Sequence, residues 1–313
     1  MEFLTSRSNP ALTSIAFAVG ALAAWLVLFG VTRAGADTDK AFVDSAPFQT
    51  WVGVAALASV AFIDTLVAGI RELHDERLRA SEPSAKAYVG LYLLFAAIVV
   101  VTLLGGGRGG PEVPIEHWRF IALALLLLGA AGAGPWIVLV WASHALLSRY
   151  RAEIPSLHAP ASDARSVADL DGMMERLLDI RSDIAAAVGR LLALVLSAVL
   201  LSGALRAALV PDPLSEAEFP ASAVLVYGAF FTVVLSLVVL PLMMSWRRTA
   251  TMLLNRAYPR SVAITADDAA AKDRLLAVLD LNGSLFRSPI ALTSLAAPLV
   301  TSFLAVFIPQ IGN

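Results

Sequence analysis

A chain of 313 residues with 58% apolar residues, 15% charged residues and a mean hydropathy of +0.76 is far more apolar than a soluble domain, where about 45–50% apolar and about 25% charged residues are usual. The net charge of -2 gives no pull toward polyanions, and the basic residues are dispersed without interleaved aromatics, so nucleic acid is not an expected partner. The absence of cysteine excludes thiol catalysis, Cys-ligated zinc, iron–sulfur clusters and disulfides.

Seven runs are long and apolar enough to cross a hydrocarbon core as helices of about 20 residues: 11–32, 50–70, 88–104, 119–147, 184–210, 220–246 and 289–311. None alternates with the period of two that a barrel strand requires. Unpaired backbone cannot cross lipid, so each run is expected to be a helix. The expected fold is one all-α transmembrane domain over 1–313, a bundle of about seven helices in a lipid bilayer. Seventeen of the 23 Lys and Arg residues fall in 1–10, 71–87, 148–183 and 247–288, and three fall in the intervening loops. The positive-inside rule then predicts a cytoplasmic N-terminus, an outer C-terminus and cytoplasmic loops 71–87, 148–183 and 247–288. The expected setting is a bacterial plasma (inner) membrane.

The first run ends near Ala34-Gly35-Ala36, which resembles a signal-peptidase site. It is longer than a cleaved apolar region and is preceded only by Arg7, so it is read as a retained span; cleavage after Ala36 would leave six spans. Trp51 and Trp118 are expected at the outer interface, and Tyr88 and Trp246 at the inner one. The second run carries Asp64, seven residues before Arg71 and so about 10 Å inside the inner boundary. The third ends in Gly105–Gly110, a Gly-rich hinge that lacks the P-loop motif. The fourth contains Gly129, Gly132, Gly134 and Pro135, so a kink or break is expected there. Its inner end holds His144, a residue type suited to a proton-sensing role.

The loop before the fifth run repeats Leu170, Met173, Leu177, Ile180 and Ile184 at heptad spacing. Two readings stay open for this stripe: a juxtamembrane helix packed on its own protein, and a seam between copies in a homo-oligomer. Ser166 and Asp169 are a plausible capping pair for it. Arg190 lies seven residues past Asp183, at about the same depth as Asp64, so an ion pair is geometrically open to them. After the sixth run, the helix is expected to extend to Tyr258-Pro259. A further helix should follow from Thr265 to about Asn282-Gly283, with Leu275, Leu276, Val278 and Leu279 on its apolar face. Arg247, Arg248, Arg256 and Arg260 fit the positive-inside rule better than a dedicated lipid site. The last run carries Pro298 among Thr293, Ser294, Thr301 and Ser302. Small residues recur every four positions at Ala16/Gly20/Ala24, Ala61/Thr65/Gly69, Gly189/Ala193/Ser197 and Gly228/Thr232/Ser236, which predicts close helix packing.

The G-x-S-x-G and H-E-x-x-H motifs are both missing, and no paired acids stand beside a His on the spans. Hence no catalytic residue, metal or cofactor is expected. The leading expectation is a transporter or channel subunit with a path near Asp64, Arg190, His144, Pro135 and Pro298, because intramembrane charges and proline-broken helices are typical of such paths. The alternative is a non-transporting membrane anchor or regulator acting through its cytoplasmic helices and oligomerisation. A membrane enzyme has no motif in its favour.

Overall fold

The computed structural model describes residues 10–74, 113–156, 164–210, 214–258, 266–279, 281 and 297–304, with single positions 90, 93 and 97. The described residues are helical with short connections and no strand. Five helices are long and apolar enough to cross a membrane. They coincide with the first, second, fourth, fifth and sixth expected runs. Most of the third and last runs lies outside the described residues; positions 90, 93 and 97 are helical and exposed, and 297–304 is helical. The Gly105–Gly110 hinge, Tyr88 and the Thr265 cap also lie outside them.

Helix α1 (Pro10–Arg33) begins on a proline, which costs nothing at a position whose N–H has no helical partner. It leans on α3 (Ala46–Leu73), where Gly20 faces Val60. Between them sits the single turn α2 (Lys40–Val43), unforeseen by periodicity because it is only four residues long. Its signal was chemical: the Asp39 carboxylate accepts from the Ala41 and Phe42 N–H groups, and Ser45 then caps α3. The turn lays Phe42 and Val43 over the end of the bundle opposite the Arg-rich loops.

Helix α4 (Trp118–Glu153) continues into a short 3-10 turn (Ile154–Ser156). It runs unbroken through Pro135, so of the kink or break expected there the break is absent. Helix α5 (Ala164–Leu209) starts two residues before the expected Ser166 cap and runs for 46 residues. Helix α6 (Ala221–Ala257) ends at Tyr258 as the sequence predicts, and tolerates an internal Pro241 that the sequence reading did not single out. Helix α7 (Ala266–Val278) stops four residues short of the expected Asn282. Helix α3 is central, packing on α1, α4 and α5, while α6 packs on α4 and α5.

Two cores result. The smaller fills the end beneath α2 with Phe48, Trp51, Ile121 and Leu209. Trp51, expected at a lipid interface, is instead 1% exposed, because α2 covers it and Trp118 packs against it. The larger core runs without interruption from Phe62 and Trp136 in mid-bundle to Leu177, Leu253 and Leu279 at the basic end. Trp246 is likewise buried in this core rather than at an interface, donating from Nε1 to the Leu177 carbonyl at 2.9 Å. Met173, Leu177, Ile180 and Ile184 of the heptad stripe are buried in the same core, so their apolar surface is used within one chain.

Candidate intramembrane site

Residues 62–69 of α3 turn successive side chains through about 100° each, so neighbours face opposite environments. Phe62, Thr65 and Gly69 point toward α4 and α5, and Asp64 points outward. On the inward side α3 and α4 touch closely. A Cβ on Gly69 would sit 2.6 Å from Pro135 Cβ, and one on Gly132 would sit 2.9 Å from the Phe62 carbonyl oxygen. Glycine is therefore required at both positions for the backbones to meet. Trp136, 3% exposed, donates from Nε1 to the Thr65 carbonyl at 2.9 Å and seals the crossing. The Gly-rich segment before Pro135 thus serves close approach.

On the outward side, Arg190 Nη1 donates to Asp64 Oδ2 at 2.6 Å. The pair joins α3 to α5 across 126 residues of sequence, at the common depth that the spacing indicates. The Asp64 side chain is 55% exposed and that of Arg190 is 42% exposed. Around them α3 presents Ile63 and Val67, also outward, and α5 presents Ala186, Gly189 and Ala193. The pair therefore lies on the perimeter of the described bundle, on an apolar face.

The other three expected pathway residues stand apart. Pro135 is on the opposite side of α3, packed against Gly69. His144 is exposed on α4 nearer the basic end, its carbonyl accepting from Ser148 Oγ. Pro298 is buried in the 297–304 helix, with its carbonyl oxygen close to Gly228 of α6. Next to it Ser302 crowds Gly228 so closely that any Cβ there would overlap it. The five residues do not converge on one site.

Sequence reading missed a second charged device. Arg206 near the end of α5 is 5% exposed and pairs with Glu216, while its Nε donates to the Phe219 carbonyl at 3.1 Å. Its signal was an Arg at a span edge followed by an acidic loop. Within that loop, Ser215 donates from N and Oγ to Glu218, and these bonds hold the Glu218 carboxyl below its usual pKa. At the basic end, Arg151 Nη2 donates to Ser245 Oγ at 2.7 Å and ties α4 to α6. Among the described residues no three His, Asp or Glu gather as a metal ion would need.

No family model, curated protein or solved structure matches the chain. The geometry is therefore the ground for any functional reading.

Proposed function

We propose that the chain is a non-transporting membrane anchor or regulator, whose membrane helices hold a rigid helical extension at the basic, cytoplasmic end. The observation that carries this reading is α5. At 46 residues it is about 69 Å long, more than twice a hydrocarbon core of about 30 Å. In its first half Met173, Leu177, Ile180 and Ile184 are buried in one core with its membrane half, and the helix packs on α4 and α6. Displacement of either part therefore moves the other, as a coupling device requires. The packing of Pro135 and Trp136 into a closed crossing supports the same reading.

A transporter or channel subunit is the second reading, favoured by the intramembrane Asp64–Arg190 pair itself. Ion and proton flux in sealed proteoliposomes, wild type beside Asp64→Asn at two pH values, separates the two. Silence in both, with the protein folded and oriented, is the expected result. Wild-type flux that falls in Asp64→Asn would overturn the anchor reading in favour of transport.

A further inference from the structure

We propose that the outward face carrying Asp64 and Arg190 is the docking surface for a second copy of this chain. Docking would be two-fold, so that each Arg190 meets the Asp64 of the facing copy. This goes beyond the anchor reading, and rests on it only in taking the pair as a contact rather than a conduction element.

The pair satisfies itself incompletely. A guanidinium has five N–H donors and a carboxylate two acceptor oxygens. Among the described residues, Asp64 and Arg190 share one bond, from Nη1 to Oδ2. Nothing else there reaches Asp64 Oδ1 or the remaining Arg190 donors. Lipid tails offer neither donors nor acceptors, so exposed polar atoms at this depth carry a free-energy cost.

Charge identifies the occupant. A partner with a lone cation or anion would leave one uncompensated charge in hydrocarbon. A dipole turned head-to-tail against an identical dipole leaves none. In an isologous pair, α3 of one copy faces α5 of the other, and each Arg190 gains a second carboxylate. Depth identifies it as well. The complementary charges must sit at the same level in the bilayer, and a second copy with the same topology puts them there.

The α5 half of the surface suits close approach, and the α3 half adds Ile63 and Val67 as apolar cover. Around Arg190, α5 exposes Ala186, Gly189 and Ala193, and a Cβ on Gly189 would meet nothing within 4 Å. The outer face of α6 differs: it exposes Val226, Phe230, Val233 and Leu237. Large apolar side chains suit lipid, and small ones suit a neighbouring helix.

The chain has no cysteine, so one introduced into each of two differently tagged copies reports cleanly. Full chain with Ala193→Cys on α5, co-expressed with full chain carrying Ile63→Cys on α3 and oxidised in native membranes, is expected to give a disulfide-linked dimer joining the two tags. Val226→Cys on the α6 face, co-expressed with the same Ile63→Cys copy, is the control and is expected to stay unlinked. Adding Arg190→Gln to both copies should lower the dimer yield about tenfold, a loss of about 1.4 kcal/mol. The charge exchange Asp64→Arg with Arg190→Asp in both copies should restore it, because both pairings are re-formed. If the charge variants fail to insert, the contrast between positions 193 and 226 still decides.

Equal dimer from positions 193 and 226 would overturn the proposal, as would a yield indifferent to Arg190→Gln. An adduct of a mass other than twice the chain would overturn it in favour of a different membrane protein. A bond formed within one chain between Ala193→Cys and Leu93→Cys would overturn it in favour of the third run as occupant. The readout is independent of flux: no dimer with silent liposomes removes this interface and leaves the anchor reading, and a dimer with flux does the reverse.

Discussion

Single side chains decide how closely the helices meet. Gly69→Val would drive a branched side chain into Pro135 and the Trp136 indole. Overpacking of this kind costs about 1–3 kcal/mol. The expected outcome is a lower midpoint in thermal unfolding of the detergent-solubilised protein than for Gly53→Val, where the added Cβ meets nothing within 4 Å. Trp136→Phe keeps most of the ring but removes the donor to Thr65, an expected loss of about 0.5–1.5 kcal/mol. Trp136→Ala adds a cavity, and about 3–5 kcal/mol is expected. At Glu218 the folded-state pKa lies below the ordinary value because Ser215 donates to the charged form. Its contribution is therefore present above the unfolded carboxyl pKa and is lost as pH falls through the folded one. Glu218→Gln should flatten this acid limb, read as protease sensitivity of the 214–219 loop against pH.

The helices themselves were largely legible from length and hydropathy, because lipid imposes one solution on a long apolar run. Five described helices overlap expected spans, and α4 with its 3-10 turn, α5 from Asp171 and α6 run about 9, 13 and 11 residues past the expected bounds at the basic end. What escaped was decided by tertiary context. Pro135 reads as a kink or a break, yet α4 continues through it, and the glycines before it let α3 pack against the site. Trp51 and Trp246 read as interface anchors because amphipathic rings prefer interfaces. Each is buried instead, Trp51 by α2 and Trp246 by the extension of α5. Equal depth with opposite charge revealed that Asp64 and Arg190 meet; depth alone is silent on rotation about the helix axis, and so on their facing outward. Arg206 belongs to the same scale. It pins the 214–219 loop to α5 through Glu216 and the Phe219 carbonyl. Arg206→Met should leave the helix in place and free the loop, seen as faster limited proteolysis between α5 and α6.

Across the whole molecule, the asymmetry of Lys and Arg is the strongest signal the sequence contains, and topology is where it is tested. Lys40 and Arg176, both exposed, lie at opposite ends of the described bundle. Under the expected orientation, a membrane-impermeant maleimide labels Lys40→Cys in intact cells and labels Arg176→Cys only after lysis. A cysteine at Arg108 should label like Lys40→Cys if the third run crosses the membrane. Labelling of Arg108→Cys only after lysis would reduce the count of spans. The extension of α5 makes a companion prediction. Because Leu177 is fully buried in the core that continues into the membrane, Leu177→Ala should cost about 2–5 kcal/mol. It should also lower the unfolding midpoint of the whole protein, rather than loosen the extension alone.

The 126-residue interval between Asp64 and Arg190 has a consequence for biogenesis. At about 5–20 residues per second, the ribosome delivers Arg190 roughly 6–25 seconds after Asp64. Throughout that interval α3 lacks its cation, and until Trp136 is delivered it also lacks the indole that closes on Thr65, 71 residues back. An aspartate at mid-helix opposes insertion by about 2.5–3.5 kcal/mol, while each Leu, Ile, Phe or Val favours it by about 0.3–0.6 kcal/mol. The apolar residues that α3 turns outward, Leu57, Ile63, Val67 and Ile70, therefore act first as the insertion signal of a helix that enters the bilayer alone. The ion pair closes only when the fifth helix emerges, so synthesis order, not the finished contact, sets how hydrophobic α3 has to be.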